Sequence, residues 1–150
     1  MKKVKNFMKK DLPVVKEGTS LTEIINIFSN SSHNICPVVD EKGKLIGLVS
    51  LEELLEDLLL SKDEVSFLEK ISFLADFFTE TIESVSSVSP LVVAKDIMQK
   101  DVFVIKENDS MVKAAILMKK KGVHRLIVVD EENRPVGYIS RNEICKAFLS

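Results

Sequence analysis

The sequence predicts an α/β (α+β) fold of two β-α-β-β-α repeats packed pseudo-symmetrically, with a helical insert between them. Three observations carry this expectation. Shifted by 90 residues, the two ends of the chain align without a gap: residues 5–55 against 95–145 give 15 identities in 51 positions, and 14 further positions are apolar in both copies. Composition alone would give about 3 identities. Each copy also runs through the same succession of helical and alternating apolar periodicities. Charge breaks between the copies: residues 56–94 hold eight acidic and two basic side chains, a net −6, leaving +4 for the rest of a chain of net charge −2. Such a break marks an insert.

Each copy opens with a short basic segment, Val4–Lys9 and Val93–Lys100, followed by an apolar extended run, Pro13–Val15 and Val102–Ile105. Ser20 and Ser110 then stand where an N-cap is needed. Behind them Leu21, Ile24, Ile25 and Phe28 keep helical spacing, as do Met111, Ala114, Ala115 and Met118. Gly122 supplies a helix stop in the second copy, where the first has Ser32. Two β-rich runs follow in each copy, Cys36–Val39 with Leu45–Ser50 and Arg125–Val129 with Pro135–Ser140. The polar turns Asp40–Lys44 and Asp130–Arg134 join them as hairpins. A closing helix, Leu51–Leu60 or Arg141–Leu149, ends each copy. A unit of about 55 residues is small for independent stability, so the two copies are expected to cover each other's apolar faces. The expected organisation is a first repeat over 1–60, a helical insert over 61–92 and a second repeat over 93–150.

Composition narrows the function. The chain has 150 residues, 45% of them hydrophobic, which suits a folded domain with a sizeable core. Its net charge of −2 gives no global basic field for nucleic acid, and with no Trp and one Tyr it lacks a base-stacking platform. The basic N-terminus is not followed by an apolar stretch of signal-peptide type, and no apolar run approaches the ~18 residues of a membrane span. The expected setting is cytoplasmic and reducing, with no nucleic acid and no membrane as partner. Two cysteines, Cys36 and Cys145, make neither a disulfide framework nor a four-ligand zinc site. His33 and Cys36 lie three apart, but no further ligands accompany them. No phosphate loop, nucleophile elbow or catalytic triad pattern is present, so no enzyme activity is expected.

The order of elements, the duplication and three stretches resemble a tandem pair of CBS domains, a Bateman module. The stretches are Asp-Ile-Met-Gln-Lys-Asp-Val at 96–102, Val-His-Arg-Leu-Ile-Val-Val-Asp-Glu at 123–131 and Gly-Tyr-Ile-Ser-Arg-Asn-Glu at 137–143. Each is loose alone; in order, and twice, they are specific. The resemblance implies regulatory binding of an adenosine-containing ligand (AMP, ADP, ATP, S-adenosylmethionine or a cyclic dinucleotide) in clefts between the repeats. It implies a signal passed to an effector protein, and association into a homodimer. No cofactor is required.

In that family a Gly-h-h-Ser/Thr-x-x-Asp stretch, h being apolar, holds the ligand, the hydroxyl touching phosphate and the Asp accepting both ribose hydroxyls. Here Gly47 to Glu53 and Gly137 to Glu143 occupy the motif, with Ser50 and Ser140 in the hydroxyl position and Glu53 and Glu143 in place of Asp. The charge is kept, but one more methylene moves the oxygens. Ser-x-x-Glu is also a capping box, so both pairs are expected to cap the closing helices as well. His124 and Arg125 open a strand where family members place phosphate-binding groups. Arg offers a planar, permanently charged donor fork, and His124 adds charge only when protonated. Arg141 follows the motif serine, and Lys119, Lys120 and Lys121 are near in sequence. The first copy has Asn34 and Ile35 in place of His124 and Arg125, so positive potential concentrates in the second. By resemblance, Val102, Phe103 and Val104, with Val14 and Val15 in the first copy, flank the adenine ring. Phe103 fits either a base stack or the core, and Val104 fits the core.

In the insert, Val65, Leu68, Ile71, Leu74 or Ala75, Phe78, Ile82 and Val85 form an apolar stripe at helical spacing, widened by Phe67, Phe73 and Phe77. A helix over 64–86 is expected there, folded back on its own subunit, docking a partner or, the preferred reading, forming a contact between two copies of the chain. A ligand-free structural or dimerisation module of the same fold is the alternative to a nucleotide sensor.

Overall fold

A computed structural model describes residues 1–54 and 92–149 of the chain. The expected insert helix, and all but the first turn of the helix expected over 51–60, lie outside the described residues. Within them the expected order occurs twice. In the first copy a 3-10 turn (Val4–Asn6) precedes β1 (Val15–Lys16), α1 (Leu21–Ser29), β2 (Ile35–Val39) and β3 (Leu45–Ser50). In the second, α2 (Ala94–Ile97) precedes β4 (Val104–Lys106), α3 (Met111–Lys121), β5 (Arg125–Val129), β6 (Pro135–Ser140) and α4 (Arg141–Leu149). The sheets have the orders β1-β2-β3 and β4-β5-β6. β4 runs parallel to β5 through Val104↔Ile127, Ile105↔Val128 and Lys106↔Val129. β5 and β6 form an antiparallel hairpin in which Arg125 faces Ser140 and Ile127 faces Tyr138.

Local chemistry explains the boundaries. The Ser20 hydroxyl accepts from the Glu23 N–H at 3.2 Å and that of Ser110 from the Lys113 N–H at 3.1 Å, so each long helix starts at a satisfied N-cap. Gly122 ends α3 at φ 67°, a left-handed conformation open to glycine at no steric cost. α1 has no such stop: Asn30 closes it at φ −104°, two residues before the expected Ser32, and α1 has 9 residues against 11 in α3. Each hairpin is tied by an aspartate. Asp40 Oδ1 accepts from the Lys42 and Lys44 N–H groups at 2.9 and 3.0 Å, and Asp130 Oδ1 from those of Glu132 and Arg134 at 2.8 and 3.0 Å. One expectation shifts. The apolar runs at 13–15 and 102–105 become strands only at Val15–Lys16 and Val104–Lys106, because pairing begins where a partner strand lies alongside. The basic segments, whose conformation the sequence left open, form short helical turns.

The chain forms two compact units, and neither is one sequence repeat. One comprises residues 1–12, 39–46 and 100–150, the other 13–38 and 47–99. In the first unit, the opening segment of the first copy lies on the sheet of the second. Lys9 and Tyr138 exchange both backbone hydrogen bonds, at 2.9 and 3.0 Å, and the Val4 N–H donates to the Asp109 carbonyl at 2.8 Å. Val4 is fully buried in a core with Ile105, Met111, Leu126, Val128 and Ile139. In the second unit the segment opening the second copy does the same: Leu48 and Gln99 exchange backbone bonds at 3.0 and 2.8 Å. Leu21, Ile25 and Leu54 pack there with Val92 and Ile97. Burying side chains of this size stabilises by about 1.5–3 kcal/mol each. The motif glycines make the approach possible. A Cβ on Gly137 would lie 2.4 Å from the Lys9 carbonyl oxygen, and one on Gly47 would lie 2.5 Å from Met98 Sδ.

Candidate functional site

Three groups of side chains in the unit built on β4-β5-β6 carry the chemistry. The first lies at the open end of the β5–β6 hairpin, where register sets Arg125 opposite Ser140. Glu143, in the first turn of α4, is only 1% exposed. Its Oε1 accepts from the Ser140 N–H at 2.8 Å and from the Ser140 hydroxyl at 2.6 Å. The glutamate arm of the expected capping box is therefore present, and the serine hydroxyl donates to the same carboxylate. Glu143 Oε2 is also buried and has no hydrogen-bond partner among the described residues. Tyr138 shares this neighbourhood: burial pushes its phenol above its ordinary value, the Glu143 charge adds to the shift and the Arg125 guanidinium opposes it.

The second group joins the β4 approach to the end of α3. Phe103 is 36% exposed, and the Lys121 ammonium lies 5.8 Å from its ring centroid. The Phe103 carbonyl accepts from the Ile127 N–H at 3.1 Å, which pins the residue at the head of β4. Its ring is thus a partly exposed, cation-capped surface, whereas Val104 and its neighbour Val102 are partly buried.

The third group separates two predicted residues from the rest. His124 and Arg141 line a cavity of about 500 Å³ between α3 and α4, with Lys119 and the apolar Ala115, Met118 and Ile144. Arg125, Ser140, Glu143 and Phe103 do not line it.

The first-copy residues lie in the other unit. Val15 and Ser50 are buried, Glu53 is partly buried and Val14 is 42% exposed. Asn34 and Ile35 stand at the positions of His124 and Arg125, and Ile35 is fully buried in β2. Cys36 packs in the same strand, its thiol 3.4 Å from the Pro13 carbonyl oxygen. Among the described residues no group of three or more His, Cys, Asp or Glu side chains is placed to hold a metal ion. No helix among them is long and apolar enough to cross a membrane.

Sequence reasoning singled out neither Tyr138 nor Lys9. Tyr138 carried a signal, as the one tyrosine of the chain and within the motif; Lys9 carried none, because periodicity does not say which copy a segment joins.

The CBS domain family model matches residues 4–60 and 94–150. The CBS domain-containing protein CBSX1, chloroplastic, of Arabidopsis thaliana is 30% identical over 144 residues, covering 94% of this chain and 61% of its own length. The chain thus spans about three-fifths of that relative. Among solved structures, CBSX2 in complex with AMP superposes with a TM-score of 0.70 at 26% identity, over 99% of this chain and 97% of that one. The CBS domain pair of protein MJ0100, in complex with 5′-methylthioadenosine and S-adenosyl-L-methionine, gives a TM-score of 0.62 at 25% identity, over 97% and 98% of the two chains.

Proposed function

The chain belongs to the CBS domain family, and from that premise we propose that it is a regulatory module that binds an adenosine-containing ligand and passes the event to a partner protein, without chemistry of its own. The candidate ligands are AMP, ADP, ATP and S-adenosylmethionine. The observation that carries this reading is the placement of Arg125 beside the Ser140 motif, with a half-exposed aromatic, Phe103, at the head of the neighbouring parallel strand. A guanidinium offers phosphate a charge-assisted, bidentate contact, and an aromatic face suits a base. The complex of CBSX2 with AMP supports the ligand class. The second copy is the binding copy in this reading, because the first, with Val14, Val15, Ser50 and Glu53, has Ile35 at the position of Arg125. In this reading the chain acts as a homodimer in the cytoplasm and passes the signal to an effector protein.

One observation favours a second reading, a ligand-free structural or dimerisation module: the two polar side chains of the second-copy motif bind each other. Thermal unfolding with each candidate ligand separates the two. A ligand at 100 times its Kd should stabilise the chain by about 2.7 kcal/mol, and the shift should disappear in Arg125→Ala. No shift with any ligand would favour the structural module.

A further inference from the structure

Two helices of the unit built on β4-β5-β6 present an apolar face to solvent. α3 carries Val112, Ala115, Ile116 and Lys119, and α4 carries Arg141, Ile144, Cys145 and Phe148. Both sets keep the i, i+3, i+4, i+7 spacing of one helical stripe. Val112, Ile116 and Phe148 are 53%, 60% and 52% exposed. The cavity of about 500 Å³ between α3 and α4 is lined from both stripes, by Ala115 and Lys119 and by Arg141, Ile144 and Cys145. Exposed apolar surface of this extent, rimmed by charge, marks an interaction site.

The charge on these helices has one sign. α3 carries Lys113, Lys119, Lys120 and Lys121, α4 carries Arg141 and Lys146, and their one carboxylate, Glu143, is buried and bound to Ser140. Asp109 neutralises Lys113 at 3.3 Å, and Lys121 lies over Phe103. Lys119, Lys120, Arg141 and Lys146 are exposed and have no acidic partner among the described residues. An occupant of this groove must therefore supply both apolar side chains and carboxylates. A second copy laid face to face supplies the first but sets cation against cation. A bilayer takes up apolar side chains that project from a surface, whereas Ala115 and Ile144 line a groove between two helices. An amphipathic helix with an acidic polar face meets both demands.

We propose that the α3–α4 groove docks an acidic amphipathic helix of the partner protein, whose apolar side chains enter between the two stripes and whose carboxylates pair with Lys119, Arg141 and Lys146. The inference rests on the regulatory reading above for the existence of a partner and gives that partner its chemistry. It is independent of which nucleotide binds.

Fluorescence anisotropy of the full chain with a labelled synthetic peptide tests it without nucleotide, so that a failure of nucleotide binding is read separately. The peptide is a helix of about 18 residues with Leu at the i, i+3, i+4, i+7 positions and Glu elsewhere, and its control has Lys for every Glu. The expected result is saturable binding of the Glu peptide, about tenfold or more tighter than the Lys peptide, weakening as salt rises from about 0.05 to about 0.5 M. Ile116→Glu and Lys119→Glu, both at exposed positions, should each weaken it about tenfold and leave the unfolding midpoint unchanged. No binding of the Glu peptide at about 1 mM, equal binding of both peptides, or indifference to both substitutions overturns the inference. Two further results overturn it by assigning the face elsewhere: a dimer in light scattering that Ile116→Glu converts to monomer, or binding to phosphatidylserine-containing vesicles that Ile116→Glu abolishes.

Discussion

Burial pushes the Cys36 thiol up to about 12, because a thiolate in its apolar strand would lose its hydration without gaining a partner charge. Cys145, in α4, is exposed. The account therefore predicts one thiol per native chain reacting with Ellman's reagent at pH 8, and two after unfolding in guanidinium. Cys36→Ala should leave the native count at one. Two rapidly reacting native thiols would contradict the placement of Cys36. Ser140 and Glu143 show how far residue-scale reading goes. Their spacing made the capping box legible. The direction of the hydroxyl proton, and the burial of both carboxylate oxygens, depend on side-chain torsions and on packing around α4, which spacing does not encode. His124 and Arg125 show a second limit: adjacent in sequence, they face different surroundings once the strand forms.

At the scale of elements, strong periodicity and strong punctuation were legible. α1, α3 and the two hairpins start where their serines and aspartates satisfy backbone N–H groups, and α3 stops where Gly122 turns left-handed. Strands β1 and β4 were less legible because they are only 2 and 3 residues long, and their ends depend on the partner strand. The motif glycines belong to this scale. Gly137 admits the Lys9 backbone to β6, and alanine there would force the Lys9 carbonyl away and break two backbone hydrogen bonds. Gly137→Ala should cost about 2 kcal/mol. Gly18→Ala is the control: nothing lies within 4 Å of the added methyl, so the change should stay within about 0.5 kcal/mol. Urea unfolding of both variants measures the difference, and equal midpoints would contradict this role for Gly137.

At the scale of the molecule, the exchange of opening segments ties the two copies together. The duplication was plain from the 15 identities, and Met8 and Met98 were among them. Which sheet each segment joins was not, because both partners look alike at a shift of 90. Val4 is fully buried against residues of the second copy, so removing residues 1–9 should unfold or loosen β4-β5-β6 before β1-β2-β3. Amide hydrogen exchange of the truncated chain reads this directly. Protection should fall at 104–106, 125–129 and 135–140 and persist at 35–39; loss confined to the first copy would contradict the exchange. The same architecture makes the second-copy site depend on a segment from the other end of the chain, because Lys9 holds the strand that carries Tyr138 and Ser140. Nucleotide binding at that site is the central claim, and calorimetric titration of the full chain with AMP tests it most directly. The account predicts saturable binding that Arg125→Ala weakens at least tenfold. An absence of binding at millimolar AMP, or binding indifferent to Arg125→Ala, would contradict it.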